Sequence, residues 1–430
     1  MKKVISLKEY DRIIEGEGFE IVDGYHTLPN FAFKNFEIFI NEYNKDIDGA
    51  DVLDFFNVTF NRKYGRVITV KNYVGVISLP DGTMLEILPK ISFNDDKQDI
   101  TKEIFLSMVR SLTNVKYKVS ALTSLDTSTT PLLELFIEMY LGEVRSLTKK
   151  GIKSFYELKE DNLFVYKGKI KPKEQMRYNL IHHERFYVEY DEYTTNRPEN
   201  RLIKSTLVKL KGISSSISNI REIKNLLLSF ELIDESVNYP NDFAKVEINR
   251  TNSEYERIML WSKIFLENKS ISTFSGSNKA YSILFPMEKV FEAYIASELK
   301  KVMHIHYPSY QVNTQHTGFF LFEDPRIFGL RPDIVINIDN KKQVVLDTKW
   351  KVLNNTAINY GISIGDMYQM YAYAKKYETK NVIVIYPCNE EMVEQKIFKS
   401  DDDIQVKIFF VDLTNINNSI LELIKEIIAY

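Results

Sequence analysis

A single cysteine, Cys388, stands among 430 residues. One thiol cannot form an internal disulfide, and such scarcity fits a reducing compartment. Cys388 lies in "YPC", just past an apolar run and with no histidine close in sequence, so it reads as a buried thiol rather than a nucleophile. Histidine is also scarce, at six residues. His182–His183 and His304/His306 are pairs without further ligands nearby, which excludes a zinc-finger spacing. There is no GxxxxGK[ST] loop and no GxGxxG, so no nucleotide site is expected on this chain. No run of eighteen apolar residues occurs, and the opening "MKKVISLKEY" has two lysines without an apolar stretch behind them. Neither a membrane span nor a secretory signal is expected, and a cytoplasmic location is. Excess positive charge is missing too: the net charge is −3, so any contact with nucleic acid needs a local basic patch or a partner that supplies it.

What is present is ordinary globular composition, 44% hydrophobic and 27% charged, and the length suggests roughly two to four domains. Residues 1–60 mix aromatics with polar sequence and show no period. From Arg66 the pattern is β, in "RVITV", "YVGVISL" and "MLEILPKI", with "PDG" at 80–82 as a turn between the last two. Helices are expected at about 98–112 and 131–148, the second with Pro131 near its start. Residues 160–195 read as β again and carry a Lys/Arg run between Lys167 and Arg177, either a solvated edge hairpin or a loop that meets phosphates or an acidic partner. Helices follow from near Pro198, at 219–233 and at 252–268. The Ser/Gly/Asn-rich stretch 270–283 marks a domain boundary.

Past that boundary the expected order is helix (286–304), strands (330–338 and 343–350), helix (366–377), strands (381–386 and 404–412) and a closing helix (417–429). That order implies a mixed sheet with helices on its faces. Phe291, Tyr294, Ile295, Leu299 and Val302 share one face of the first helix.

The stretch "RPDIVINIDNKKQVVLDTKWK", residues 331–351, sits in the middle of this region. Folded as a hairpin that turns at Asn340, it sets Asp333 opposite Asp347, and period-2 alternation puts Lys349 on the Asp347 face. Two carboxylates that close repel each other and raise one pKa unless a hard cation lies between them. Mg²⁺ held there polarises a phosphodiester and acidifies a water, and a lysine beside it orients that water or offsets transition-state charge. The acids can equally be solvated charges on an ordinary hairpin, and a turn shifted by one residue would pair Asp333 with Thr348 instead. Glu292, at the edge of the preceding helix's apolar face, is a candidate third carboxylate, and Glu288 a weaker one. Gln369 and Tyr373 are four apart, on one face of the following helix.

"RPD" and "DTK" resemble the acid and D-x-K signatures of the PD-(D/E)xK nucleases, and "QMYAY" is similar to the Q-x-x-x-Y motif of their RecB-like branch. Together with "YVGVISLPDGTMLEILPKI" (73–91), "NRPENRLIK" (196–204), "MEKVFEAYIASELKK" (287–301) and "DMYQMYAYAKKY" (366–377), the chain from about residue 65 onward resembles McrC, the endonuclease subunit of McrBC-type, 5-methylcytosine-directed restriction systems. The resemblance implies an α/β chain, α+β in its N-terminal part: a mixed α/β domain over residues 1–270 that docks to and stimulates an AAA+ GTPase, and a restriction-endonuclease-like domain over 271–430. It implies Asp333 and Asp347 as metal ligands with Glu292 as a third, Lys349 as the catalytic lysine, and Gln369 and Tyr373 as supporting residues. It also implies Mg²⁺ or Mn²⁺ as cofactor, GTP bound by a McrB-like hexamer rather than by this chain, double-stranded DNA as substrate and no membrane. A stand-alone RecB-like repair nuclease, or an AAA+ activator with a silent nuclease site, are the alternatives.

Overall fold

The computed structural model describes residues 3–45, 56–91, 98–112, 130–267, 281–339, 342–388 and 395–428. The stretch 270–283, expected as a boundary, lies almost wholly outside these residues. Two compact units form: residues 1–132 with 270–430, and residues 133–269. Compactness therefore does not follow a single cut at residue 270. The reason is a strand: Tyr281–Pro286 joins the N-terminal sheet, antiparallel to Tyr73–Ser78.

In the first unit that sheet has the order Val4–Lys8, Met84–Leu88, Tyr73–Ser78, Tyr281–Pro286, with only its first pair parallel. Every residue of the two central strands is buried, which explains why they read as continuous apolar runs rather than as alternation. The one acid among them, Glu86, is compensated by Lys102 at 3.0 Å. Residues 12–70 hold a five-stranded sheet, which includes the strand expected from Arg66, and, within the part where no period is read, a helix, Asn30–Lys45, that buries Phe33, Phe36, Phe39 and Ile40.

The third large sheet of this unit is six-stranded, in the order Gln311–Thr314, Ile334–Asp339, Lys342–Thr348, Asn381–Pro387, Gln405–Val411, Lys396–Lys399. The third and fourth of its five pairings are parallel and the others antiparallel, so it is mixed. The helices Met287–His306, Ile364–Lys376 and Ile416–Ile428 stand where the sequence period puts them. In the first of these, Met303 rather than Val302 closes the buried face. Alternation divides the sheet. Val335, Val345, Val382, Val384, Val406 and Ile408 form one core with Met370, Tyr373 and Ala374 of the Ile364–Lys376 helix. The alternate residues, such as Leu346 and Ile383, are equally buried on the opposite face.

Four strands here were not expected. Gln311–Thr314 and Lys396–Lys399 are edge strands of four residues, too short to show a period. Phe319–Glu323 and Arg326–Leu330 form a separate ribbon whose residues alternate in neither hydropathy nor burial.

The second unit joins a three-stranded antiparallel sheet (Lys169–Ile170, Phe186–Thr194, Phe155–Leu163) to a helical layer. The basic stretch is thus not all β: its second half is a short helix, Pro172–Tyr178, entered through Pro172. In the helical layer, Phe136 and Tyr140 pack on Trp261 and Phe265. Glu134 accepts hydrogen bonds from Ser214 Oγ at 2.7 Å, Ser215 N at 2.6 Å and Asn219 Nδ2 at 2.8 Å, which hold its pKa down against the effect of burial. No helix of the described residues is long and apolar enough to cross a membrane.

Gly75 sits at φ +141°, and a Cβ there would lie 1.9 Å from the Ile283 carbonyl oxygen. Only glycine lets these two strands pair so closely. Gly75→Ala is expected to cost about 3 kcal/mol or more, read as a fall in Tm of the full-length chain. A variant melting within about 2 °C of the parent would show that the strand is not seated there.

Candidate active site

The hairpin fixes the site. Its ladder pairs Ile334 with Leu346, Val335 with Val345, Ile336 with Val344 and Asn337 with Gln343. Continued by one step, this register sets Asp333, just before its strand, opposite Asp347 near the end of the partner strand. Toward the turn a bulge shifts the register, so that Asp339 meets Lys342. The turn residues 340 and 341 lie outside the described residues. Asp347 shares the side of Val345, which faces the Ile364–Lys376 helix.

Asp347 is 2% exposed. Lys349 Nζ lies 2.7 Å from its Oδ2, but off a hydrogen-bonding direction, so this buried oxygen has an ion-pair neighbour and no aligned donor. Burial, then the Asp333 charge, push the Asp347 pKa up, and Lys349 only partly offsets them. Burial works against the Lys349 ammonium as well, yet the Asp347, Asp366 and Asp333 carboxylates outweigh it and keep the lysine charged.

Asp333 Oδ2 accepts hydrogen bonds from Thr348 N at 2.8 Å and Thr348 Oγ1 at 2.7 Å. Its Oδ1 lies 3.4 Å from Gln315 Nε2, which also donates to Glu292 Oε1. Burial, then Asp333, raise the Glu292 pKa, and Lys289 at 3.2 Å lowers it in part. On the other side Lys349 Nζ donates to Gln369 Oε1 at 3.2 Å, and Gln369 Nε2 donates to the Tyr373 hydroxyl at 2.7 Å. Asp366 Oδ1 is 3.9 Å from Lys349 Nζ.

The structure thus links Asp347, Lys349, Gln369 and Tyr373 in one chain of contacts, and Glu292 to Asp333 through Gln315. Glu288 turns elsewhere and adds its charge to the surroundings of Glu9. Gln315, Thr348 and Asp366 escaped the sequence reading. Asp366 was findable: it precedes Gln369 by three and Tyr373 by seven, on the same helical face and in the first turn after the Ser363 cap. Gln315 lies in a connection and left no signal. Cys388 is half-buried, and burial, then Asp412, push its thiol up, away from reactivity.

Among the described residues no three His, Cys, Asp or Glu side chains form a ready cage for a metal ion. A hard cation still suits Asp333 and Asp347. The donors are carboxylate oxygens, one is buried without an aligned donor, and the two charges oppose each other.

Behind this site, Trp350 Nε1 donates to Glu9 Oε2 at 2.9 Å, and Lys90 N donates to the same oxygen at 3.0 Å. The Trp350 ring rests on Phe291, the neighbour of Glu292, with centroids 5.3 Å apart. Residues near the N-terminus therefore hold the segment that follows Lys349.

The fold of the chain has counterparts among solved structures. At 18% identity and a TM-score of 0.67, 98% of this chain matches all of a chain in a structure described as a refined half-complex from a tetradecameric assembly of Thermococcus gammatolerans McrB AAA+ hexamers with bound McrC. At 19% identity and a TM-score of 0.51, 70% of this chain matches 88% of a chain in a cryo-EM structure of the Thermococcus gammatolerans McrBC complex. No curated protein matches the chain. Residues 68–387 match the model of the McrBC 5-methylcytosine restriction system component, and the chain belongs to that family.

Burial raises the Glu9 pKa from 4.5 to about 7 against the pull of its Lys90 and Trp350 hydrogen bonds. The folded state binds this proton more tightly than the unfolded state, so Glu9's contribution to stability falls as pH rises from 4.5 to about 7. Glu9→Gln keeps an acceptor for Trp350 without the charge. It is expected to raise stability by about 1–3 kcal/mol near pH 8 and to leave it unchanged near pH 4. Melting curves at both pH values check this, and an equal shift at both would remove ionisation as the cause.

Proposed function

We propose that the chain is the endonuclease subunit of a McrBC-like restriction system. It would hydrolyse phosphodiester bonds of double-stranded DNA after recruitment by a DNA-reading AAA+ GTPase, and would stimulate that partner's GTP hydrolysis. The observation that carries the nuclease reading is the buried Asp347 oxygen without an aligned donor, on one hairpin face with Asp333 and Lys349.

Asp333 and Asp347 would hold Mg²⁺ or Mn²⁺, with Glu292 beside them. The bound ion would supply Lewis-acid polarisation of the phosphate and a more acidic water. Thr348 fixes one oxygen of Asp333, and the other lies against the Gln315 amide. Lys349 is held between Asp347 and Gln369, charged, where it can orient a water and offset charge that develops on the phosphate. Tyr373 holds the Gln369 amide so that its oxygen faces the lysine. With so few cations near the site, positive charge for the DNA backbone must come largely from elsewhere, as the net charge of −3 also requires.

The 133–269 unit offers a docking surface. Around its basic stretch Phe164, Val165, Tyr166, Met176, Leu180 and Ile181 are all exposed. A cluster of large apolar side chains left to solvent marks a protein-binding face, and the lysines among them suit an acidic partner. The matched structures of McrB hexamers with bound McrC support a AAA+ ring as that partner.

The test is cleavage of modified and unmodified plasmid with Mg²⁺ and GTP, with and without the neighbouring AAA+ protein. Asp347→Ala is expected to abolish cleavage and to leave GTPase stimulation intact. Lost stimulation would make Asp347 a residue of the fold or the interface. Lys349→Ala should lose cleavage by about a hundredfold or more with little change in metal affinity. An equal loss of metal affinity would contradict its role. Ile181→Asp should lose both stimulation and partner-dependent cleavage while metal binding persists. Robust metal-dependent cutting by this chain alone would favour the stand-alone nuclease.

A further inference from the structure

Gln315 is an odd residue for its place. Its φ is +51°, a left-handed conformation that glycine or asparagine takes more readily. Its backbone N–H donates to the Asp333 carbonyl at 2.9 Å, which pins the residue beside the start of the Ile334–Asp339 strand. From there its Nε2 reaches Glu292 Oε1 and lies 3.4 Å from Asp333 Oδ1. One amide nitrogen with two protons thus stands between two carboxylates that come from different elements.

A lasting bridge between two carboxylates calls for arginine or lysine, whose charge compensates both. A neutral amide compensates only in part, and its side chain can rotate away without moving the backbone. It occupies the gap between Glu292 and Asp333. We propose that the Gln315 amide is a placeholder. It keeps Glu292 and Asp333 together while no metal is bound, and an entering divalent cation displaces it. Glu292 then becomes a ligand only in the metal-bound state, which accounts for the lack of a three-carboxylate cage among the described residues. This deepens the nuclease reading and rests on it.

Direct Mn²⁺ titration of the full-length chain, by calorimetry or electron paramagnetic resonance, tests the proposal without any cleavage assay. Gln315→Met keeps the length of the side chain and removes the amide. It is expected to bind Mn²⁺ about tenfold more tightly, because the ion no longer competes with a hydrogen bond to charged groups. Its Tm without metal should fall, and the deficit should close at saturating Mn²⁺. Gln315→Lys installs a permanent cation and should do the opposite, raising the metal-free Tm and weakening Mn²⁺ binding. Unchanged or weaker binding by Gln315→Met would overturn the placeholder. So would unchanged or tighter binding by Gln315→Lys. A wild-type chain that binds no Mn²⁺ would sink the nuclease reading along with it. Wild-type binding that Asp347→Asn abolishes and Gln315→Met leaves unchanged would sink the placeholder alone.

Discussion

Asp347 and Lys349 meet at 2.7 Å at the end of a buried strand, and the surrounding charges do not balance. Asp333 and Asp366 both act on the pair, Glu292 is held near Asp333, and Lys349, Lys289 and Arg331 offset these four carboxylates only in part. An apolar sheet tolerates this excess only if hydrogen bonds or a cation relieve it. Thr348 relieves Asp333, Gln315 spans Glu292 and Asp333, and Gln369 with Tyr373 steadies the lysine. Each of these polar side chains has a partner in the cluster. The site gathers acids whose mutual repulsion its cations and hydrogen bonds offset only in part.

That arrangement was legible where burial imposes a period. Runs of valine, isoleucine and leucine on both sides of the turn mark the two strands, but both faces of these strands are buried, so the apolar pattern alone tolerates a slip of one residue and it is the ladder that fixes the register. The same reasoning found the helix that carries Gln369 and Tyr373, because Met370, Tyr373 and Ala374 repeat along its buried face.

Gln315 and Glu9 could not be found that way. Gln315 matters through a backbone conformation that sits in a connection. Glu9 matters through a partner 341 residues away. The N-terminal helix is a different case. Phe33, Phe36, Phe39 and Ile40 do repeat at helical spacing, so its buried face was written in the sequence, but the surrounding short strands, two of whose residues (Ile21 and Val22) are exposed, broke the pattern on either side. The ribbon Phe319–Leu330 left no trace because much of it faces solvent, where no period is enforced.

The strand Tyr281–Pro286 has a consequence for how the chain is made. It supplies one edge of a sheet whose other strands all lie before residue 89. A ribosome must therefore deliver almost two hundred further residues before Tyr73–Ser78 gains its second neighbour. During that interval the 133–269 unit has all of its own chain and can fold as a body. The earlier sheet waits with an open edge, a state in which foreign strands can pair with it. The late strand both completes the first sheet and leads directly into the helix that bears Glu292.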